Sequence, residues 1–175
     1  MRRLRMLCII KSPDYFYTNH PIMPNTFSDI SIQAVFAVKH RESLILSEWR
    51  GQLHSYISGI LTRENIKALA VGGWLDHVHI FFGLPPARNI SDIIRIVKAN
   101  SSKWVNERRF VSRSFEWQHG YGAFSYSNGQ RNHVIRYIME QEQHHKKLTF
   151  QQEYLRMPEE FNISCDNRYL FQFYQ

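Results

Sequence analysis

The chain has 175 residues, 43% of them hydrophobic, which suffices for one domain with a buried core and leaves little room for two. Its 22 Lys and Arg against 15 Asp and Glu give a formal charge of +7, a balance that suits a polyanionic partner and points first to nucleic acid. Only Cys8 and Cys165 are present, which excludes a CxxC zinc site and a disulfide framework and fits a reducing cytoplasm, and the apolar run at 80–84 is far shorter than the roughly 20 residues that span a bilayer.

Residues 1–22 read as an extension outside the core, marked by Pro13, Asn19 and Pro21 and without a sustained period. Arg2, Arg3 and Arg5 ahead of Leu7, Ile9 and Ile10 faintly resemble a signal peptide, but Lys11 ends the apolar run too early. A strand pattern begins soon after Met23-Pro24-Asn25-Thr26, so Met23 is a candidate translation start and residues 23–175 form the expected domain.

From 29 to 38, Ile30, Ile32, Ala34, Phe36 and Val38 alternate with Ser31, Gln33, Val35 and Ala37, the period of two expected of a strand. Ser47 can cap a helix whose stripe runs through Trp49, Leu53, Tyr56, Ile57, Ile60 and Leu61. Residues 68–74 and 77–83 form two short apolar runs separated by Leu75-Asp76, an antiparallel hairpin. Pro85 and Pro86 stop it, and Asn89 or Ser91 can cap a second helix carrying Ile93, Ile94, Val97, Trp104 and Val105. A fourth strand is expected at 122–127, then one long helix from Asn128 through Val134, Tyr137, Ile138, Gln141 and His145. The order β-α-β-β-α-β followed by α predicts an α+β fold: a ferredoxin-like split βαβ sandwich, an antiparallel sheet with helices on one face and an added C-terminal helix.

Two residues apart on a strand, His77 and His79 present both imidazoles to the same sheet face and can share one ion. Taken alone, such a pair fits structural packing as well. Tyr137 and Gln141, four apart, lie on one helical face, and the same stripe also reads as core. Asp76 suits either a turn or a partner that steadies a ligating histidine. His144 and His145 follow Gln141 at three and four residues and could approach a metal or phosphate, although a solvated helix end is the favoured reading. Lys98, Lys103, Arg108 and Arg109, interleaved with Trp104 and Phe110, suit phosphate contacts and base stacking, while Trp117, Tyr121 and Phe124 read more readily as core.

Together these segments resemble the single-tyrosine HUH transposases, whose signature is His-hydrophobic-His with a tyrosine on a later helix. The resemblance runs from Met23-Pro24-Asn25-Thr26 through Val35-Phe36-Ala37-Val38, Asp76-His77-Val78-His79, Gly83-Leu84-Pro85-Pro86 and Asn100-Ser101-Ser102-Lys103. It continues through Glu116-Trp117-Gln118, 120–125, Tyr137-Ile138, Gln141-Glu142, His144-His145, Thr149-Phe150 and Arg168-Tyr169-Leu170. It departs at Trp74-Leu75, where the family commonly has a small proline-containing turn.

The resemblance implies a divalent cation, magnesium or manganese, held by His77, His79 and Gln141, with Tyr137 as nucleophile toward single-stranded DNA carrying hairpins. It also implies a homodimer in which the tyrosine helix can serve the partner's site. Two other readings follow from the same residues: a non-catalytic ferredoxin-like module that binds nucleic acid, and a domesticated relative that processes repeat hairpins.

Overall fold

The computed structural model describes residues 27–145 and 149–161. The expected extension at 1–22, Met23 as a start and the match at Arg168-Tyr169-Leu170 lie outside these residues.

Strand β1 spans Ser31–Ala37, helix α1 Ser47–Arg63, β2 Ala68–Gly73, β3 His77–Gly83, α2 Ile90–Arg108 and β4 Gly122–Tyr126. The strands form one sheet in the order β2-β3-β1-β4, every neighbouring pair antiparallel. This is the split βαβ order that the alternation of periods predicts. Register pairs Ala37 with His77 and Val35 with His79. The caps differ in detail. Leu46, extended and without a side-chain hydrogen bond, precedes α1 in place of a Ser47 cap. At α2 it is Asn89 that caps, its Oδ1 accepting the Asp92 N–H at 2.8 Å.

The alternation in β1 sorts residues between two cores. Ile32, Ala34 and Phe36 join Val78, Ile80 and Phe82 beneath α1 and α2, whose apolar stripes contribute Leu53, Ile57, Ile93 and Val97. Aromatic contacts tighten this side: Phe36 meets Trp117 edge-on at 4.8 Å, and Trp49 stacks on Phe110 at 5.0 Å. The opposite face of the sheet is buried too. There Val35 and Ala37 pack with Phe124, Phe150, Tyr154 and Met157, and Ala70 and Phe81 pack with Val134 and Ile138.

The expected long final helix is three helices, α3 Arg131–Met139, α4 Gln141–His144 and α5 Phe150–Glu160, with a short 3-10 turn at Asn128–Gln130 before them. The break falls at Glu140, whose φ of −96° and ψ of 15° leave the helical range although neither Gly nor Pro stands there. Helix α5 starts with a reciprocal cap: Thr149 Oγ1 accepts the Gln152 N–H and Gln152 Oε1 accepts the Thr149 N–H. Helices α3 and α5 cover the second sheet face, so the added C-terminal element closes the sandwich over His77 and His79. Among the described residues, no helix is long and apolar enough to cross a membrane.

Candidate active site

Both imidazoles of β3 point to the face beneath α3 and α5, and both are fully buried. Each ring is held from its Nδ1 side. His77 Nδ1 lies 2.7 Å from Asp76 Oδ1, and His79 Nδ1 lies 3.0 Å from the side-chain nitrogen of Gln33 on β1. Asp76 therefore does more than turn the chain. Burial opposes its charge, but the His77 hydrogen bond and the neighbouring Arg41 guanidinium outweigh that and hold its carboxyl down at about 2. The Arg41 guanidinium also lies 3.9 Å over the Phe150 ring, and Phe150 stacks on His77 at 4.0 Å. The orientation of His77 is fixed by side chains from the β2–β3 turn and α5.

With their Nδ1 atoms engaged, both rings direct Nε2 into the sandwich. There they meet Glu153 of α5, itself only 3% exposed: Oε1 lies 3.3 Å from His79 Nε2 and Oε2 lies 3.9 Å from His77 Nε2. Gln141 Oε1 lies 3.2 Å from His77 Nε2, while its amide N–H donates to Glu153 Oε1 at 3.0 Å. The Tyr137 hydroxyl donates to the same carboxylate oxygen. Burial pushes the His79 pKa down, against the pull of the Glu153 charge, so its ring is neutral at pH 7.

The ligand-type atoms of His77, His79 and Glu153 lie within 4.8 Å of one another, and His79 Nε2 has no hydrogen-bond partner. A buried nitrogen left over beside a second imidazole and a carboxylate is a donor set that fits a divalent cation. These residues are therefore chemically competent to hold one.

His145, expected in solvent, enters this cluster. Its side chain is 3% exposed, with Nε2 at 2.9 Å from Glu153 Oε2 and 3.2 Å from His77 Nε2. The break at Glu140 turns α4 inward and carries His145 with it. Trp74, from the β2–β3 turn, stacks near His145 at 6.2 Å and carries the Arg50 guanidinium 4.4 Å over its ring. A cavity of about 150 Å³ opens beside Tyr137, lined by Gln33, Tyr126, His133, His144 and Arg156 among others. Burial, reinforced by Glu160, pushes the Tyr126 hydroxyl up to about 12, so it stays protonated there.

The expected DNA contacts do not gather here. Helix α2 packs on the other sheet face. Lys98 is turned inward, Nζ donating to the carbonyls of Gln118 at 2.5 Å and Gly120 at 2.9 Å, and burial lowers its pKa to about 8. Lys103 is exposed and sits 3.7 Å from Glu107, one turn along. Arg108 and Arg109 are exposed at the end of α2, Arg109 in the left-handed region with φ 55°. Trp117 and Phe124 are core, as their positions beside strands suggest.

Residues 26–141 match the family model described as "Transposase IS200 like". The chain belongs to the IS200-like transposase family. Within this family, the transposase for insertion sequence element IS200 from Salmonella typhimurium strain LT2 is 27% identical over 93 residues, covering 50% of this chain and 60% of that protein. Its counterpart in Salmonella typhi matches equally. The matched stretch thus spans less than two thirds of these curated relatives. Among solved structures, a candidate transposase from Deinococcus radiodurans R1 superposes with a TM-score of 0.56 at 20% identity, covering 67% of this chain and 94% of that one. A REP-associated tyrosine transposase bound to a REP hairpin gives 0.54 at 15% identity, covering 77% and 76%. At these identities the structural likeness establishes the fold.

For this IS200-like chain, the matched stretch includes His77, His79, Tyr137 and Gln141 and stops short of His145 and Glu153. Glu153 was missed by sequence reasoning, although a signal exists. Phe150, Glu153, Tyr154 and Met157 share one helical face, so Glu153 is a carboxylate on an apolar stripe.

Proposed function

We propose that this IS200-like transposase cleaves and rejoins single-stranded DNA through Tyr137, which attacks a backbone phosphate to give a 5′-phosphotyrosine and a free 3′ hydroxyl. The observation that carries this reading is the convergence of Tyr137, His77, His79 and Gln141 on one buried point. His77, His79 and Gln141 would hold a magnesium or manganese ion; when bound, such an ion acts as a Lewis acid toward the non-bridging phosphate oxygens.

The chain's own part is positioning. Tyr137 Oη gives up its proton and forms the new bond to phosphorus as the bond to the 3′ oxygen breaks, and that oxygen takes up a proton and leaves as a hydroxyl, so the step consumes no net proton. The phosphate stays esterified, so a second 3′ hydroxyl can attack the phosphotyrosine, release Tyr137 and join new ends. Holding the phenol in place converts a bimolecular encounter into a local step. Arg156 and His133 line the cavity beside Tyr137 and would meet the backbone that leads to the scissile phosphate. Lys103, Arg108 and Arg109 would bind DNA on the outer side of α2, away from the chemistry. Single-stranded DNA carrying hairpins, which the family resemblance implies, is the proposed substrate. A homodimer accords with the family resemblance.

The test is cleavage of labelled single-stranded hairpin DNA from the flanks of the gene, with manganese and with chelator, beside its fully paired duplex. The proposal expects metal-dependent nicking of the single strand alone. Binding without nicking under every metal would favour a non-catalytic module.

A further inference from the structure

Glu153 is a buried carboxylate in unusual company. Its oxygens lie within 3.9 Å of three imidazoles, those of His77, His79 and His145, and its hydrogen-bond donors are Tyr137 and Gln141; no Lys or Arg lies within ion-pair distance of it among the described residues. A carboxylate taken out of water needs a compensating cation or a full set of donors. The geometry around it matches a coordination sphere more closely than a packing contact. Two ligands of one small octahedral ion, each about 2.1 Å from it and at right angles, stand roughly 3 Å apart. Glu153 Oε1 and His79 Nε2 are 3.3 Å apart and are not aligned as a hydrogen bond, while His77 Nε2 lies 3.9 Å from Oε2. Two imidazoles and an amide offer a divalent cation no negative charge. A carboxylate supplies it, and hard cations such as magnesium and manganese favour that oxygen donor.

We infer that Glu153 is a direct ligand of the cation, in addition to His77, His79 and Gln141, and that the same carboxylate positions Tyr137 against the ion. The inference rests on the metal-assisted reading above. It makes α5, which lies beyond the family-matched residues 26–141, part of the active centre. The fold supports this placement: α5 starts at a reciprocal cap, Phe150 seats it on His77, and Tyr154 and Met157 bury it on β1 and β4, so position 153 faces the histidines by helical geometry.

The test is calorimetric titration of the full chain with Mn2+ in the absence of DNA, for the unaltered protein, His79→Ala, Glu153→Gln and Glu153→Asp, with thermal melting to confirm folding. Loss of a direct ligand should exceed the roughly 10–100-fold effect of losing an outer partner. Glu153→Gln is expected to weaken Mn2+ binding by more than about 100-fold, with Glu153→Asp recovering part of the affinity. Binding by Glu153→Gln within about 100-fold of the unaltered chain, or tighter, would overturn the inference while leaving His77 and His79 as ligands. If the unaltered chain bound no Mn2+, or His79→Ala bound it equally well, the metal reading itself would fail. If Glu153→Gln does not fold, Glu153→Asp decides: unchanged affinity in that variant, whose shorter carboxylate retreats from the histidines, overturns the inference.

Discussion

The hydroxyl of Tyr137 donates a hydrogen bond to the buried carboxylate of Glu153, tying α3 to α5 across the second face of the sheet. Replacing Tyr137 by Phe leaves that oxygen short of a donor in a dry setting. The expected cost is about 1–3 kcal/mol in urea unfolding. Because the two residues share one interaction, Tyr137→Phe and Glu153→Gln together should depart from additivity by at least about 0.5 kcal/mol. Additive losses would show that the contact carries no stability.

Gly72 sets how closely the tyrosine helix approaches the sheet. A Cβ there would stand 2.3 Å from the backbone oxygen of Ile138, the neighbour of Tyr137. Gly72→Ala must push α3 outward, since backbone cannot rotate away as a side chain can. The expected cost is about 1–3 kcal/mol of stability from overpacking. A displacement near 1 Å at Tyr137, the proposed nucleophile, would lower the rate of covalent linkage by about 100-fold. Melting curves and single-turnover adduct formation check both, and an alanine variant with full rate would show that α3 is not held by this contact.

Asp76 and Gln33 hold the two histidines from behind without facing the cation position. Asp76→Asn and Gln33→Met are each expected to weaken Mn2+ affinity by about 10–100-fold while the fold persists. Titration calorimetry with a melting control measures this. Equal affinity in both variants would mean that packing alone orients the rings.

The fold and half of the site were legible in the sequence, for different reasons. Alternation in β1, the stripes of α1 and α2 and the paired prolines after β3 report local geometry, which sequence period encodes directly. His77 and His79 were visible because strand alternation fixes their common face. Glu153 was hidden because a helix was not expected at 150–160, and without it no face can be assigned to a lone glutamate. His145 was visible as a neighbour of Gln141 but was read chiefly as a solvated helix end, because the break at Glu140 carries no Gly or Pro to announce the change in chain direction. Lys98 counted as a DNA cation by composition, whereas its reach to two carbonyls is a tertiary contact that charge counting does not see.

Lys98 also gives the chain a definite pH response. Burial lowers its pKa from 10.5 to about 8, so above pH 8 the folded chain has released a proton that the unfolded chain keeps until about 10.5. Where the unfolded state binds more protons, stability rises with pH. Relative to Lys98→Met, the unaltered chain should therefore gain stability between pH 8 and 10.5 and show a constant difference below 8. Urea unfolding of both proteins across this range checks the sign. A loss of stability relative to Lys98→Met over that window would mean the ammonium is stabilised by its two carbonyls more than burial opposes it.

The central claim is that Tyr137 becomes covalently joined to DNA. Its most direct test is to incubate the chain with single-stranded hairpin DNA and manganese, digest the product and sequence the nucleotide-bearing peptide by mass spectrometry, with Tyr137→Phe in parallel. The account predicts a 5′-phosphate ester on Tyr137, formed only with the metal and absent from the variant. An ester on any other residue, or cleavage that persists undiminished in Tyr137→Phe, would contradict it.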